Sequence, residues 1–321
     1  MKDTTMNKLS HFFQSIIFSS FILLLVACSV DDDLSMYGQL RFESSSEAVE
    51  SLIQAVKNNQ NDIIINTMGL DHKQFFETSD KAAEQVRRQS FYKLVTEEGY
   101  KLETKSTGEV LLLIGTHAWP FPIPLVDGDG GWYFDTAVGI DEIINRRIGM
   151  NELDAITTLK ALVDAQIDYA SLDFDGDGVL EYAQHFRSNP DLLDGLYWDD
   201  SNSEFKSPLS SFVTDANEYL NDDKGSNSPF KGYLFKILTS QGDNTSGGAY
   251  DYIVGNNMVA GFAILAYPAE YASTGVMSFM VNHEGIIYEQ DLGENTQEIG
   301  STKSNYNLDD KWQTFEDSYA E

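Results

Sequence analysis

Apolar residues recur at helical spacing in the first part of the chain. Ser44 and Glu47 stand at the spacing of a capping box, in which side chains satisfy backbone N–H groups at the start of a helix. The apolar residues that follow fall on one helical face: Val49, Leu52, Ile53 and Val56. A short apolar stretch over residues 63–68 comes next, and the pattern predicts a further helix that starts near Ser79.

Short segments rich in β-branched and aromatic residues follow these helices and predict strands. Within residues 100–135 they are YKLETK, EVLLLIGT, WPFPIPLV and GWYFD. Together the two patterns predict a first unit, residues 44–149, in which helices pack on a curved antiparallel sheet.

A second unit is predicted over residues 150–321. It opens near Asn151 with a long amphipathic helix, whose apolar residues lie mostly on one stripe: Leu153, Ile156, Leu159, Leu162, Val163, Ile167 and Tyr169. Alternating segments separated by turns then predict an antiparallel meander: GYLFKIL, AYDYIV, GFAILAYP, GVMSFMVN and GIIYEQDL. The predicted fold class is therefore α+β, with the long helix packed on a C-terminal meander.

The N-terminus has the layout of a secretory signal over residues 1–27. Lys2 and Lys8 precede an uncharged, mostly apolar run that ends at Ala27. The last residues before and at the predicted cleavage point, LVAC, resemble a bacterial lipobox, in which the cysteine thiol is acylated. Cys28 is the only cysteine of the chain, so it has no internal disulfide partner. We therefore expect lipidation at Cys28 and attachment to a membrane.

Residues 28–43 are polar and acidic and predict a tether behind this anchor. Serine at position 29 resembles the outer-membrane lipoproteins of Gram-negative bacteria, where aspartate at that position favours retention in the inner membrane. Asp31, Asp32 and Asp33 resemble the acidic export tag of some surface lipoproteins, but their loose spacing favours a plain tether. The expected location is the cell envelope, in the outer membrane, on its periplasmic face or exposed at the surface.

The charge balance narrows the choice of partners. The chain has 51 Asp and Glu against 21 Lys and Arg, a formal net charge of -30, without a basic stripe. Phosphate binding requires clustered Lys and Arg, so nucleic acid is not expected as a partner. The hydrophobic content of 42% is enough for packed cores and places the 321-residue chain among globular proteins.

One short stretch has the spacing of a metal site. Residues 171–184, SLDFDGDGVLEYAQ, match the first half of an EF-hand loop. The candidate calcium ligands are the carboxylates of three aspartates and one glutamate and one backbone carbonyl: Asp173, Asp175, Asp177, Glu181 and Val179. The position of the bidentate glutamate holds Gln184, so the second half of the motif is missing.

Two interpretations of this stretch stay open. The DGDG segment is also typical of a helix end followed by a turn, in which glycine supplies positive φ. Three aspartates in register repel one another without a cation, however, which keeps calcium as the one candidate cofactor. Catalytic motifs such as G-x-S-x-G, H-E-x-x-H and a glycine-rich phosphate loop are missing from the sequence, and the expected function is non-catalytic.

The chain as a whole resembles domain-of-unknown-function family 2950, a set of bacterial secreted or lipid-anchored proteins. The matching segments, over about residues 40–315, are WPFPIPL, GWYFD, NRRIGMNEL, DGDGVLEYAQ, DGLYW, SPL, GGAYDYIV, YPAEYASTGVMSFMVNHEGIIYE and DLG. The first unit also resembles nuclear-transport-factor-2-like cones, and the second resembles the globular heads of type IV pilins. The family has no assigned activity, so this resemblance implies no site residues.

Three functions follow as hypotheses. The first is a lipid-anchored envelope protein that binds a partner protein or helps to assemble a surface structure. The second is a small-molecule-binding or hydrolytic protein that uses the first unit as its pocket. The third is a pilin-like assembly component, although the hydrophobic stem of a pilin is missing from the sequence.

Overall fold

The computed structural model describes residues 38–76, 80–189, 192–201, 203–210 and 228–316. The fold is α+β, as the sequence pattern predicts: helices packed on an antiparallel sheet, then a long helix, then a second antiparallel sheet. Buried apolar side chains form two clusters, one in the first half of the chain and one in the second.

The first half opens with short helices. They are α1 (Ser45–Lys57), α2 (Asn61–Met68), α3 (Lys73–Phe76) and α4 (Lys81–Glu97). The predicted N-terminal cap of α1 is present, because the Ser44 hydroxyl accepts a hydrogen bond from the Glu47 N–H at 3.1 Å. The helix predicted to start near Ser79 corresponds to α4, whose N-terminal cap is Asp80.

An antiparallel sheet follows these helices. Its strands are β1 (Tyr100–Thr104), β2 (Val110–Ile114), β3 (Trp119–Pro120), β4 (Leu125–Gly128) and β5 (Gly131–Phe134), in the order β1-β2-β4-β5 with β3 on β2. Leu112, Leu125 and Phe134 are fully buried, and α1 supplies Val49 and Leu52 to the same cluster. Side chains therefore fill the helix-facing side of this sheet.

A single helix, α5 (Thr136–Tyr169), runs for 34 residues. It starts 15 residues before Asn151, where the sequence pattern places a helix start, so residues 136–150 are helical as well. It also passes through residue 150, the predicted boundary between the two units, and that division stays a prediction.

The buried stripe of α5 is narrower than its apolar pattern indicates. Leu159 is fully buried, whereas Leu153 and Ile167, both predicted for the stripe, are 49% and 53% exposed. Ile167 directly follows the fully buried Gln166, and neighbouring helical residues point about 100° apart. The buried position at this turn of α5 is therefore taken by the polar Gln166 and not by Ile167, which the sequence pattern assigns to the stripe.

The strands of the second sheet are β8 (Tyr233–Leu238), β13 (Ala263–Pro268), β14 (Met277–Asn282), β15 (Ile287–Asp291) and β17 (Gln313–Thr314). Their order in the sheet is β17-β15-β14-β13-β8, with all neighbours antiparallel. Every residue of β13 is buried, as expected for a central strand covered on both faces. The predicted meander is present in β13, β14 and β15.

Short strands and one helix complete the second half. They are β6 (His185–Arg187), β7 (Gly195–Tyr197), β9 (Ser240–Gln241), β10 (Tyr250–Asp251), β11 (Ile253–Val254), β12 (Asn257–Met258), β16 (Asn305–Tyr306) and α6 (Thr296–Thr302). The predicted strand AYDYIV divides into β10 and β11, and β11 forms a two-residue hairpin with β12.

The first described residues pack against the first half. The Gln39 side-chain amide donates to the backbone carbonyls of Thr67 at 2.9 Å and Phe134 at 2.7 Å. Leu40 is 6% exposed. Residues 38–43, the last six of the predicted tether (28–43), are therefore part of the folded structure.

Candidate functional site

The Asp-rich loop, residues 173–181, begins four residues after the last residue of α5. Gly176 and Gly178 have φ of +78° and +89°, in the left-handed region that favours glycine. The backbone can therefore turn sharply twice within three residues. This local chemistry explains the alternation of aspartate and glycine in DGDG.

Backbone amides hold the aspartate side chains in place. The two carboxylate oxygens of Asp173 accept hydrogen bonds from Gly176 N–H at 2.8 Å and from Gly178 N–H at 2.9 Å. Asp177 Oδ1 accepts from Val179 N–H at 2.7 Å. Gly178 stands sixth from Asp173, the place of the turn glycine in an EF-hand loop, and its positive φ suits that place.

Three carboxylates meet in this loop. One oxygen from each of Asp173, Asp175 and Asp177 lies within 4.8 Å of the other two. Among the described residues this is the one group of three or more His, Cys, Asp or Glu side chains close enough to hold a metal ion together. Partial burial, with the neighbouring charges of Asp177 and Asp173, raises the pKa of Asp175 above its ordinary value. The triad can hold a cation, which would neutralise this repulsion.

Glu181, another predicted ligand, stands apart from the triad. Glu181 Oε2 accepts a hydrogen bond from the Met258 N–H of β12 at 2.8 Å, and Glu181 is not part of the close group. Burial raises the pKa of Glu181, and the charges of Asp175 and Asp177 raise it further. Val179 gives its N–H to Asp177. The loop thus joins Asp173, Asp175 and Asp177, whereas Glu181 links it to the β11–β12 hairpin.

The chain does not continue as an EF-hand after the loop. Tyr182 forms an antiparallel bridge with Met258, and β6 follows where the second helix of an EF-hand would lie. Gln184 occupies the position of the missing glutamate, and its side-chain amide donates to the Asn256 carbonyl at 2.5 Å. The loop therefore connects a helix to a hairpin.

Asp177 and Glu181 both contact this hairpin. Asp177 Oδ2 accepts a short hydrogen bond from the side chain of Asn257, and Glu181 accepts from the neighbouring Met258 N–H. These two carboxylates therefore connect the segment after α5 to the β11–β12 hairpin.

The described histidines do not form a metal site with this loop. His185 Nε2 lies 4.0 Å from Asp194 Oδ2, and both side chains are partly exposed. His283 packs near the ring of Phe262, with ring centroids 6.4 Å apart.

Cys28, the predicted lipidation site, lies outside the described residues, as do the predicted signal and most of the predicted tether. None of the helices in the described part of the chain combines the length and the apolar character needed to cross a bilayer.

A second polar region, which the sequence analysis missed, joins the two halves of the fold. Asp80, the N-terminal cap of α4, is 2% exposed and accepts hydrogen bonds from Ala83 N–H at 2.9 Å and from Gly232 N–H at 2.7 Å. Asn151 of α5 donates to the Thr274 carbonyl at 2.7 Å. We call this region the polar junction.

Charged residues of α5 extend the polar junction. Glu152 Oε1 accepts from the N–H groups of Val276 and Met277, both at 3.0 Å, and Asp154 pairs with Lys231 at 2.9 Å.

A buried guanidinium lies in the same region. Arg147 is 7% exposed and donates to the Phe75 carbonyl at 3.1 Å. Burial and the nearby charge of Arg87 lower the pKa of Arg147, while Glu84 and Glu270 act in the opposite direction. Arg147 and Asn151 stand one helical turn apart in α5, and both are buried, which the sequence alone does not reveal.

Comparison with known proteins places the chain in a family. No curated protein and no solved structure matches it, so the resemblances to nuclear-transport-factor-2-like cones and to pilin heads have no support from the comparisons. A family model described as "Protein of unknown function (DUF2950)" matches residues 39–315, which is most of the chain. The chain therefore belongs to family DUF2950.

Proposed function

We propose that this protein is a lipid-anchored component of the bacterial cell envelope that serves as a non-catalytic binding or assembly module. The observation that carries the proposal is the position of Cys28, the only cysteine, directly after the LVA sequence that closes the predicted secretory leader. Several acyl chains on one residue give stable anchoring, whereas a single chain binds a membrane only marginally. The expected location is the outer membrane, and the expected partner is another envelope protein.

Calcium is the proposed structural cofactor of this module. The supporting observation is the triad of Asp173, Asp175 and Asp177, whose oxygens converge within 4.8 Å. Oxygen-rich, carboxylate-lined loops of this kind suit calcium, which accepts six to eight oxygen ligands. Because the bidentate glutamate is missing, we expect affinity in the range of extracellular modules, about 10⁻⁴–10⁻³ M. Bound calcium would fix the end of α5 against the hairpin that Asp177 and Glu181 contact.

The alternative of a small-molecule pocket has less support. The helix-facing side of the first sheet is filled by fully buried side chains such as Leu112 and Phe134. The pilin-like alternative rests on a resemblance that no solved structure supports. We therefore retain the anchored binding module as the proposal.

Replacement of Cys28 by serine tests the anchor. We expect the variant to lose incorporation of labelled palmitate and to move from the membrane fraction to the soluble fraction. Unchanged labelling and fractionation would refute lipid attachment at this residue. A cross-linking comparison of the wild-type and variant proteins in intact cells then tests the binding role, since loss of the anchor is expected to remove envelope partners from the cross-linked set.

A calcium titration tests the cofactor separately. We expect the melting temperature of the mature wild-type protein to rise with calcium, and that of Asp175→Ala to stay constant. Asp129→Ala is the matched control, because Asp129 lies in the similar DGDGG turn at residues 127–131, is exposed, and does not belong to the triad. Calcium responses of equal size in the Asp175 variant and the wild type would exclude the loop as the site.

A further inference from the structure

Gly38, the first residue that the structure describes, lies beside the N-terminal end of α5. The Leu70 N–H donates to the Gly38 carbonyl at 2.9 Å, and the Thr136 hydroxyl, in the first residue of α5, donates to the Met68 carbonyl at 2.7 Å. Gly38, the segment around Leu70 and the N-terminal end of α5 therefore lie together. We call this region the anchor side.

The Asp-rich loop lies at the other end of the same helix. The 34 residues of α5 rise by about 1.5 Å each, so its two ends are about 50 Å apart. The loop follows the C-terminal end, at Tyr169, whereas the anchor side is at the N-terminal end. The β11–β12 hairpin lies beside the loop, at the same end of α5, because Asp177 contacts Asn257.

Gly38 lies ten positions after Cys28, within the predicted tether of residues 28–43. Ten residues reach at most about 36 Å when fully extended, which is less than the length of α5. A lipid on Cys28 therefore keeps the anchor side within reach of the bilayer, and it favours arrangements in which the loop is further from the bilayer than the anchor side.

Charge favours the same orientation. Residues 38–149 carry 11 Lys and Arg against 17 Asp and Glu, whereas residues 150–321 carry eight against 30. Bacterial phospholipid surfaces with anionic headgroups repel the strongly acidic second part more than the weakly acidic first part.

We propose that the anchor side faces the phospholipid bilayer and that α5 holds the Asp-rich loop about 50 Å away from it along the helix. This inference rests on the proposed lipid anchor and adds an orientation to it. The loop and its hairpin are then presented to the aqueous space, where a soluble cation or a partner protein can reach them, and the bilayer contact is made by the anchor side.

Energy transfer to an acceptor lipid in vesicles tests the orientation. Single cysteines at Asp71→Cys, on the anchor side, and at Val254→Cys, on the β11–β12 hairpin, carry the donor dye. Both positions are exposed, and Val254 pairs with Asn257 in the hairpin. We expect transfer from position 71 to exceed transfer from position 254 by roughly threefold, because the sites are separated along α5. Equal transfer, or stronger transfer from position 254, would overturn the proposal.

A second arm separates the orientation from the anchor itself. The mature chain with Cys28→Ser and an N-terminal histidine tag is held on vesicles by a nickel-chelating lipid, so attachment no longer needs acylation. If Cys28 carries no lipid, the natural anchor is refuted but this arm still reports the orientation. We expect the same preference for position 71, stronger on phosphatidylglycerol vesicles than on phosphatidylcholine vesicles. If the difference in energy transfer between positions 71 and 254 is the same on both kinds of vesicle, the role given to charge is overturned.

Discussion

The carboxylate of Asp80 accepts a hydrogen bond from the backbone N–H of Gly232 at 2.7 Å, across 152 residues of sequence. The same carboxylate caps α4 through the Ala83 N–H, and Asp80 is almost completely buried. One short side chain therefore ends a helix of the first half and satisfies a backbone donor of the second half. The close approach at Gly232 is part of this arrangement, since a Cβ there would lie 2.3 Å from Asn151 Nδ2.

Replacement of Asp80 by alanine is expected to destabilise the protein strongly. The variant loses a helix cap, typically worth about 1 kcal/mol, and leaves the buried Gly232 N–H without its acceptor, at about 1–3 kcal/mol. We expect a loss of at least about 2 kcal/mol in the free energy of unfolding, measured by urea denaturation. Asp62→Ala, at an exposed first-turn position of α2, serves as the control and should change stability by less than about 0.5 kcal/mol. Similar losses in both variants would contradict the role of Asp80.

Local sequence signals predicted the elements well and their assembly poorly. The Ser44 cap forms as its spacing predicts, because both partners lie within one helical turn. The α5 start at Thr136 was missed because the fifteen residues before Asn151 lack a clear apolar stripe, and contacts such as Thr136 to Met68 fix that end of the helix. Those contacts are long-range and leave no local periodicity.

Of the two polar regions, local spacing predicted the Asp-rich loop and did not predict the polar junction. Spacing alone identified the three aspartates that meet in the loop, since all the geometry lies within five residues. Spacing placed Glu181 in the same set, whereas the fold directs its carboxylate to Met258, 77 residues away. The polar junction was invisible for this reason as well, because it depends on which distant segments α5 contacts.

Two glycine-to-alanine changes should have opposite effects on stability. At Gly275 a Cβ would lie 2.2 Å from the hydroxyl of the fully buried Tyr233, which donates to the Met277 carbonyl. We expect Gly275→Ala to cost about 1–3 kcal/mol through this overpacking. Gly149, inside α5, has open space at its Cβ position, so Gly149→Ala should stabilise the helix by about 0.5–1 kcal/mol.

Denaturation of the two glycine variants and the wild type under one condition checks this pair. A stabilised Gly275 variant would contradict the close contact with Tyr233. A Gly149 variant that loses more than about 0.5 kcal/mol would contradict the open surface around that residue.

Glu98 should contribute to the pH dependence of stability. Thr116 donates its backbone N–H and its hydroxyl to Glu98 Oε2, at 3.0 and 2.9 Å, and these hydrogen bonds lower the pKa of the carboxyl. A carboxyl with a lowered pKa in the folded state stabilises the fold above its unfolded pKa, about 4.3, and this contribution is lost as the pH falls through the folded pKa. Glu98→Gln should therefore be less stable than wild type at pH 6 and approach it at pH 3.

The neighbouring Glu97→Gln is the matched control for this pH series. Glu97 is equally exposed on the last turn of α4, so the substitution has the same chemistry at an adjacent position. Its unfolding free energy should follow that of the wild type at both pH values. If the Glu98 and Glu97 variants show the same pH dependence, the Thr116 hydrogen bonds do not couple to stability.

Hydrogen exchange at the β11–β12 hairpin should report calcium binding at the loop. The Met258 N–H donates to Glu181, and Asn257 contacts Asp177, so the carboxylates of the loop hold the amides of the hairpin. A cation on the triad lowers the repulsion between these carboxylates and should make the loop open less often, which slows exchange at Met258. The amide of Leu102, in β1 of the first sheet, is the internal reference and should not respond. In Asp175→Asn the calcium effect at Met258 should disappear while exchange at Leu102 stays the same. If calcium slows both amides equally in the wild type, it acts on global stability or at another site, and the link between the loop and the hairpin is refuted.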